Sequence, residues 1–296
     1  MAEPLFLTTK ELATLLRVKE RKVYDMVAEG SVPHRRVTGK LLFPKDEIER
    51  WLQESPGTTP PPVYKSSAQA LQVVAGAQDP LLEWALRESG SGLAALFDDS
   101  YDGVERLKAR EAVAACLHVY DPATSDWNVG FVAARFAHEP VALLSFARRS
   151  RGLLLAPNNP LKIRSIADLA GKRVAIREDR AGRALAEHFL STAGLSPKDV
   201  KITGLTSRSE TDAAVALLSG NVDAAIGLKA VAEQFRLGYL AEVEEQYDIL
   251  VFRRAYFEPP LQKLFAFCRT QAFRDHAAKL SGYDLSDLGE VRFNGL

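Results

Sequence analysis

Cysteine is almost missing from this 296-residue chain: Cys116 and Cys268 stand in no CxxC or metal-ligand spacing, so neither a disulfide framework nor a zinc cluster is implied. A reducing compartment suits such a sequence. Long apolar runs are missing as well, none reaching the roughly 18 residues of a membrane span. The opening "MAEPLFLTTKE" lacks the basic segment and apolar core of a signal peptide, and the expectation is a cytoplasmic chain, neither exported nor embedded. Catalytic signatures are lacking too: there is no HExxH, no GxSxG elbow and no Walker loop. Gly90-Ser91-Gly92 imitates a dinucleotide turn but precedes an expected strand instead of opening a helix after one, so it reads as a surface turn. No catalytic residue, cofactor or metal is therefore expected, and no repeat of solenoid period appears. The histidines His34, His138, His188 and His276 are scattered and point to nothing.

Net charge is also absent, with 38 basic and 38 acidic residues, which would argue against a nucleic-acid protein if the charge were spread evenly. It is not. From Arg17 to Lys40 the bases Arg17, Lys19, Arg21, Lys22, Arg35, Arg36 and Lys40 face the acids Glu20, Asp25 and Glu29, seven against three, a local net of +4. Around these cations, Thr8 or Thr9 can cap a helix carrying Leu12, Leu15 and Leu16 on one face, with Glu11 placed for a capping box. A second helix from about Lys19 to Ala28 turns Val23, Met26 and Val27 inward and stops at Gly30. Arg35–Val37 and Leu41–Phe43 flank Thr38-Gly39-Lys40 as a hairpin wing. Pro44 then opens a closing helix with Ile48, Trp51 and Leu52 facing back.

This order, over "LTTKELATLLRVKERKVYDMVAEGSVPHRRVTGKLLFPKDEIERWL", resembles the excisionase-like, MerR-related winged helix-turn-helix domain. The resemblance implies double-stranded operator DNA as a partner. It places Lys19, Arg21, Lys22 and Tyr24 on the recognition helix and Arg36 and Lys40 on the wing, and Arg17 and Arg35 are expected to bind DNA with them.

A domain of residues 1–54 is expected, followed by a Pro-rich linker of residues 55–67, in which Pro60-Pro61-Pro62 favours extended geometry. Residues 68–296 change character. Short apolar runs such as "LQVVAG", "VALLSFA", "RVAIRE", "VDAAIGL" and "YDILVFRR" alternate with helical stretches such as "PLLEWALRE", "AGRALAEHFLSTAG" and "LQKLFAFCRTQAFRDHAAKL", the pattern of an α/β domain with largely parallel sheets.

The run of elements from "VVAGAQDPLLEWAL" through "RRSRGLLLAPNNPLKIRSIADLAGKRVAIRE" to "YDILVFRRAYFEPPLQKLFAF" resembles the two-lobed type 2 periplasmic-binding-protein fold, in the molybdate-binding-related branch found as the sensor half of one-component regulators. The resemblance implies lobe I over about 71–157 and 247–296, lobe II over about 158–246, and a ligand in the cleft between them. By family position the cleft loops carry Gln78 and Asp79, Ser100 and Tyr101, and Arg180, Ala181, Gly182 and Arg183, joined by His118, Asn128 and Arg149. Helix N-termini with added guanidinium groups suit a small anion, by resemblance an oxyanion of the molybdate or tungstate type, or else an organic carboxylate or sulfonate.

Local readings compete for several of these residues: Asp79 as the cap of "PLLEWAL", Ser100 as the cap of "YDGVERL", Arg183 as a partner of Glu187, and His118 as a core histidine. The whole reads as a ligand-responsive DNA-binding regulator, expected as a homodimer. The alternative is a solute-binding protein or enzyme accessory that binds a small organic acid without regulating transcription.

Overall fold

The computed structural model describes residues 6–16, 18–37, 40–54, 72–177, 179–205 and 209–296, which fall into two compact units, Met1–Ala68 and Gln69–Leu296. The expected linker of residues 55–67, Arg17 and the turn residues Thr38 and Gly39 lie outside the described residues.

The first unit opens with strand β1 (Phe6–Thr8) and helix α1 (Thr9–Leu15). Thr8 is the N-cap: its Oγ1 accepts from Glu11 N at 3.3 Å while its own N–H donates to Glu11 Oε2 at 2.8 Å, the reciprocal capping box. Helix α2 (Glu20–Ala28) ends where Ser31 N–H donates to the Met26 carbonyl and Gly30 N–H to that of Val27. Gly30 holds φ +65°, a left-handed conformation that closes such a terminus without a Cβ clash. Strands β2 (Arg35–Val37) and β3 (Lys40–Pro44) form the wing, and helix α3 (Lys45–Glu54) follows.

Strand β1 adds to the far side of β3, giving a three-stranded antiparallel sheet in the order β1-β3-β2 among the described residues. Leu12, Val23, Phe43 and Ile48 are fully buried at the centre, each such side chain contributing about 1.5–3 kcal/mol. Two leucines depart from the expected inward set, Leu15 at 55% exposure and Leu52 at 47%. Helix α1 is only two turns long, so Leu12, Ala13 and Leu16 complete its inner face. In α3, Ile48 and Trp51 face the core instead. Pro44 closes β3 rather than opening α3.

The second unit is built on strands β4 (Val73–Gly76), β5 (Ala94–Phe97), β6 (Ala114–Leu117), the short β7 (Tyr120–Asp121) and β8 (Asp126–Trp127), β9 (Val141–Leu155), β10 (Arg173–Arg177), β11 (Lys201–Leu205), β12 (Ala224–Leu228), β13 (Gly238–Phe252), β14 (Tyr283–Asp284) and β15 (Val291–Asn294). Its helices are α4 (Pro80–Glu88), α5 (Ser100–Lys108), α6 (Val129–Phe136), α7 (Arg180–Thr192), α8 (Glu210–Leu218), α9 (Lys229–Gln234), α10 (Arg253–Tyr256), α11 (Pro259–Cys268) and α12 (Gln271–Lys279). The stretch "LQKLFAFCRTQAFRDHAAKL" is thus two helices. Thr270 breaks it, taking extended backbone (φ −75°, ψ 158°) and capping α12 by accepting from Phe273 N.

Among the described residues one ten-stranded sheet runs β11-β10-β12-β9-β13-β6-β4-β5, with β14 and β15 also on β9. It is mixed rather than largely parallel. β9 and β13, fifteen residues each, pair antiparallel from Val141↔Phe252 to Leu155↔Gly238, because the chain leaves along one and returns along the other. One end of this pair carries β6, β4 and β5; the other carries β12, β10 and β11. Alternation sets the layers: Val74, Ala114 and Cys116 face α4 and α11, whereas Ala115 and Leu117 face α5 and α6. Helix α5 lies so close to β4 that a Cβ on Gly103 would come within 2.4 Å of Gly76 Cα.

Candidate functional site

In the first unit Lys19 is the N-cap residue of α2, and Arg21, Lys22, Arg36 and Lys40 are exposed. Tyr24, 52% exposed, joins Thr8, Thr9, Lys10, Arg36 and Lys40 around a groove of about 480 Å³. Cations and hydroxyls on one such surface are the groups that hold phosphodiester oxygens. Arg35 differs from its neighbours, because its guanidinium donates to Glu47 at 2.5 Å. Lys10 was not foreseen; it belongs to the first turn of α1, where only the cap drew attention.

In the second unit the expected convergence of helix starts is present, but the chain's own carboxylates take the donors. Asp79 caps α4 by accepting from Leu82 N at 2.7 Å, Asp99 caps α5 from Tyr101 N at 3.0 Å, and Asp179 caps α7 from Gly182 N at 2.6 Å. The cap of α5 is therefore Asp99, not Ser100, whose hydroxyl instead accepts from His118 N at 3.3 Å. A carboxylate at a helix start is favoured by the same partial positive charge that would hold a free anion.

Behind these caps lies a buried ion network. Arg149, fully buried, donates to Asp79 at 2.8 Å and to Glu245, and its guanidinium lies 4.2 Å over the Tyr247 ring. Arg151 donates to the second oxygen of Glu245 and, at 2.7 Å, to Glu210 Oε1. Arg177 donates to the same Glu210 oxygen at 3.1 Å and to the Asp98 carbonyl at 3.3 Å, and its Nε sits 2.7 Å from Asp179, close enough for charge attraction though poorly aligned for a hydrogen bond. Tyr283 closes the far end through its hydroxyl on Asp79 at 2.6 Å.

Burial opposes the ionisation of Glu210, Arg149 and Arg177, and their partners overcome it. For Glu210 burial pushes the carboxyl up, yet Arg151 and Arg177 hold it down at about 2. Burial likewise lowers Arg149 and Arg177, while Asp79 and Glu210 respectively raise them above the usual value.

The anticipated residues divide three ways. Gln78, Asp79, His118 and Arg149 come together at the network, Gln78 by accepting from the Glu210 backbone N–H at 3.0 Å. Arg149 lies inside β9, and it is paired with Asp79 and Glu245 rather than free for a ligand. Arg180 reaches Asp99 at 3.0 Å and Asp102 at 2.5 Å, passing over the Tyr101 ring, while Ala181 packs into the apolar cluster beside Tyr101. Gly182 spends its N–H on Asp179.

Two residues stand apart. Arg183 takes its local reading, an exposed pair with Glu187 at 3.1 Å. Asn128 belongs to a separate buried network, accepting from Val119 N at 2.6 Å and donating to Asp248 at 2.8 Å, and it starts α6 with a left-handed φ of 64°. Arg151, Arg177, Glu210, Glu245 and Tyr283 were missed. A signal existed for the first: Arg149 and Arg151 are two apart in "RRSRG" and share one strand face, with Glu245 paired in register opposite Arg149.

His118 sits inside this cluster at 1% exposure, its Nδ1 3.2 Å from Glu245. Burial first, then Arg151, Arg149 and Arg177, lower its pKa well below 6.5 and keep it neutral. The unfolded chain takes up that proton near pH 6.5 and the folded chain does not, so stability is complete above this pH and falls below it, by at most about 1.4 kcal/mol per pH unit. The urea midpoint of the wild-type protein should therefore drop between pH 6.5 and 5. A His118→Gln variant should show a shallower drop, and equal slopes would mean that His118 is protonated in the fold.

Comparison with known proteins gives two family matches. Residues 6–56 match a helix-turn-helix domain, and residues 81–269 match the PBP superfamily domain. The uncharacterized protein YvgK of Bacillus subtilis (strain 168) is 26% identical over 314 residues, covering 98% of this chain and 99% of that one. Among similar solved structures, the GluR0 ligand-binding core in complex with L-glutamate is 15% identical over 73% of this chain and 100% of its own, with a TM-score of 0.48. PhnD1 from Prochlorococcus marinus (MIT 9301), in complex with methylphosphonate, is 16% identical over 74% and 92%, also with a TM-score of 0.48. The regulatory domain of MetR, a LysR family regulator from N. meningitidis, is 14% identical over 72% and 96%, again at 0.48. Both family matches are of DNA-binding and solute-binding type, and among the described residues no helix is long and apolar enough to cross a membrane.

Proposed function

The chain belongs to the PBP superfamily, and on that premise we propose that it is a cytoplasmic, ligand-responsive transcriptional regulator whose PBP-like domain senses a small anion. The observation that carries the reading is the joining of a helix-turn-helix domain to a PBP-like domain in one chain. The reading head covers residues 1–54 and the linker residues 55–67. Lobe I spans about 71–157 and 247–296, lobe II about 158–246, with the ligand between them. Lys19, Arg21, Lys22, Tyr24, Arg36, Lys40 and, from the groove, Lys10 contact DNA. A head this small makes few contacts, so the protein acts as a homodimer on an inverted repeat. Ligand shifts the population of DNA-competent states by binding one of them more tightly.

The anionic class rests on the family resemblance and on the starts of helices α4, α5 and α7, whose partial positive charge already holds the chain's own carboxylates. Two classes of anion fit the reading: by family resemblance an oxyanion of the molybdate or tungstate type, or else an organic carboxylate or sulfonate. Selection of genomic fragments with the full chain, followed by titration of the selected DNA with and without each anion, tests the reading. Arg21→Ala and Lys22→Ala should each weaken binding and reduce the slope of log affinity against log salt by about one. Absence of any selected sequence, or slopes unchanged in both variants, would remove the assigned interface.

A further inference from the structure

Helix α8 begins with a carboxylate that faces neither solvent nor its own helix start. Ser209 and Asp212 complete the capping box there, so Glu210 is not needed as a cap. Its side chain turns inward to 3% exposure and places one oxygen, Oε1, between Arg151 Nη2 and Arg177 Nη1. The other oxygen, Oε2, is buried and makes no hydrogen bond among the described residues. Two guanidinium forks can engage both oxygens of a carboxylate, and Glu210 uses one. The same fork of Arg177 also reaches the carbonyl of Asp98, on the β5 side of the sheet, so the site joins both ends of the β9–β13 pair.

Charge count limits what can enter. Arg149, Arg151 and Arg177 face Asp79, Asp179, Glu210 and Glu245, three cations against four anions, with His118 neutral. A further anion added to this set would sit buried with a second uncompensated negative charge, which is costly in a low-dielectric interior. A monoanion that replaces the Glu210 carboxylate leaves the count unchanged. A dianion in its place does not.

We propose that Arg151 and Arg177 form the subsite for a small monocarboxylate, and that Glu210 occupies it in the absence of ligand as a tethered competitor which the ligand's carboxylate expels. The proposal rests on the sensor reading above and narrows its ligand to one class. A tethered carboxylate acts at an effective concentration in the millimolar range, so the competitor sets a threshold that a ligand must exceed through its remaining contacts.

Chemical rescue tests this in the full-length chain. Glu210→Ala removes the competitor and leaves a space that acetate or formate can enter. Its melting temperature should rise saturably with millimolar acetate, by several degrees more than in equal chloride, while wild type responds at least tenfold more weakly in concentration. Adding Arg151→Met to Glu210→Ala should abolish the response. If Glu210→Ala fails to fold in chloride, refolding yield in acetate against chloride becomes the readout: recovery supports the competitor, and equal yields overturn it.

DNA affinity of the wild-type chain, read in parallel against the anion panel, separates the two claims. An anion that changes wild-type DNA affinity while acetate does nothing to Glu210→Ala keeps the sensor and overturns the competitor. Acetate rescue without any anion effect on DNA keeps the subsite and removes the anion-sensing reading. No response in either assay overturns both.

Discussion

Arg151→Met should destabilise the Gln69–Leu296 unit by about 3–5 kcal/mol at pH 7, the usual cost of breaking a buried ion pair from one side. The substitution keeps the apolar stem and deletes the guanidinium that joins Glu245 to Glu210. Two cations would then face four buried carboxylates, and each of the two deserted acids would keep a single guanidinium partner, Arg149 or Arg177. In a domain of this size the loss corresponds to a melting temperature lower by roughly 6–20 °C. Adding Glu210→Met should restore part of it, because the second change removes one of the stranded charges. Urea unfolding of wild type, both single variants and the double variant measures the coupling. A cost below about 1 kcal/mol for Arg151→Met would show that water reaches these carboxylates and that the network is not dry.

Gly103→Ala carries the other large effect, and its sign is the test. Helix propensity alone favours alanine over glycine by about 1 kcal/mol within a helix such as α5. The packing demands the reverse: the new Cβ would lie 2.4 Å from Gly76 Cα and 2.7 Å from Gly76 N, backbone atoms of β4 that have no side-chain freedom to yield. Gly76 cannot retreat, since it holds φ +111° with the Cys116 backbone against its own Cβ position. Helix α5 must shift away from the sheet, at about 1–3 kcal/mol for overpacking. A stabilised Gly103→Ala variant in thermal unfolding would place α5 farther from β4 than described.

These two sites also show where sequence reading reaches and where it stops. The small winged domain was legible because its signals are local: Thr8 with Glu11 three residues on, Gly30 as a left-handed stop, and the alternation around the wing. The strands β4, β10 and β12 were legible as apolar runs bounded by polar turns. Strand β1 was not, since three residues carry too little alternation. The first half of β13, "GYLAEVEEQ", reads as polar, and becomes a strand only because it pairs with Leu153–Leu155 of β9 and the residues that precede them.

At the buried ion network, the family resemblance pointed to Asp79, His118 and Arg149. Glu210 and Glu245 stayed hidden, because each pairs with guanidinium groups far away in the chain, and a pattern along one strand cannot reveal a partner on another. Competing local chemistry mattered as much. Arg183 had Glu187 one turn away and took it, and Asp99 out-competed Ser100 for the cap of α5 because an ionised carboxylate is the stronger acceptor.

The antiparallel pair of β9 and β13 also has a consequence for synthesis. Residues 156–237 intervene between the two strands, and closing a loop of that length costs about 4 kcal/mol in chain entropy before any pairing repays it. The central sheet of the second unit therefore cannot zip until the ribosome has delivered Phe252, whereas the first unit pairs Phe6 with Pro44 and has its last helix finished by Glu54. Domains fold as units, N-terminal first, at about 5–20 residues per second, which leaves an interval on the order of 10–40 s between the two events. During that interval a nascent chain carries a completed helix-turn-helix domain and a second unit without its central sheet.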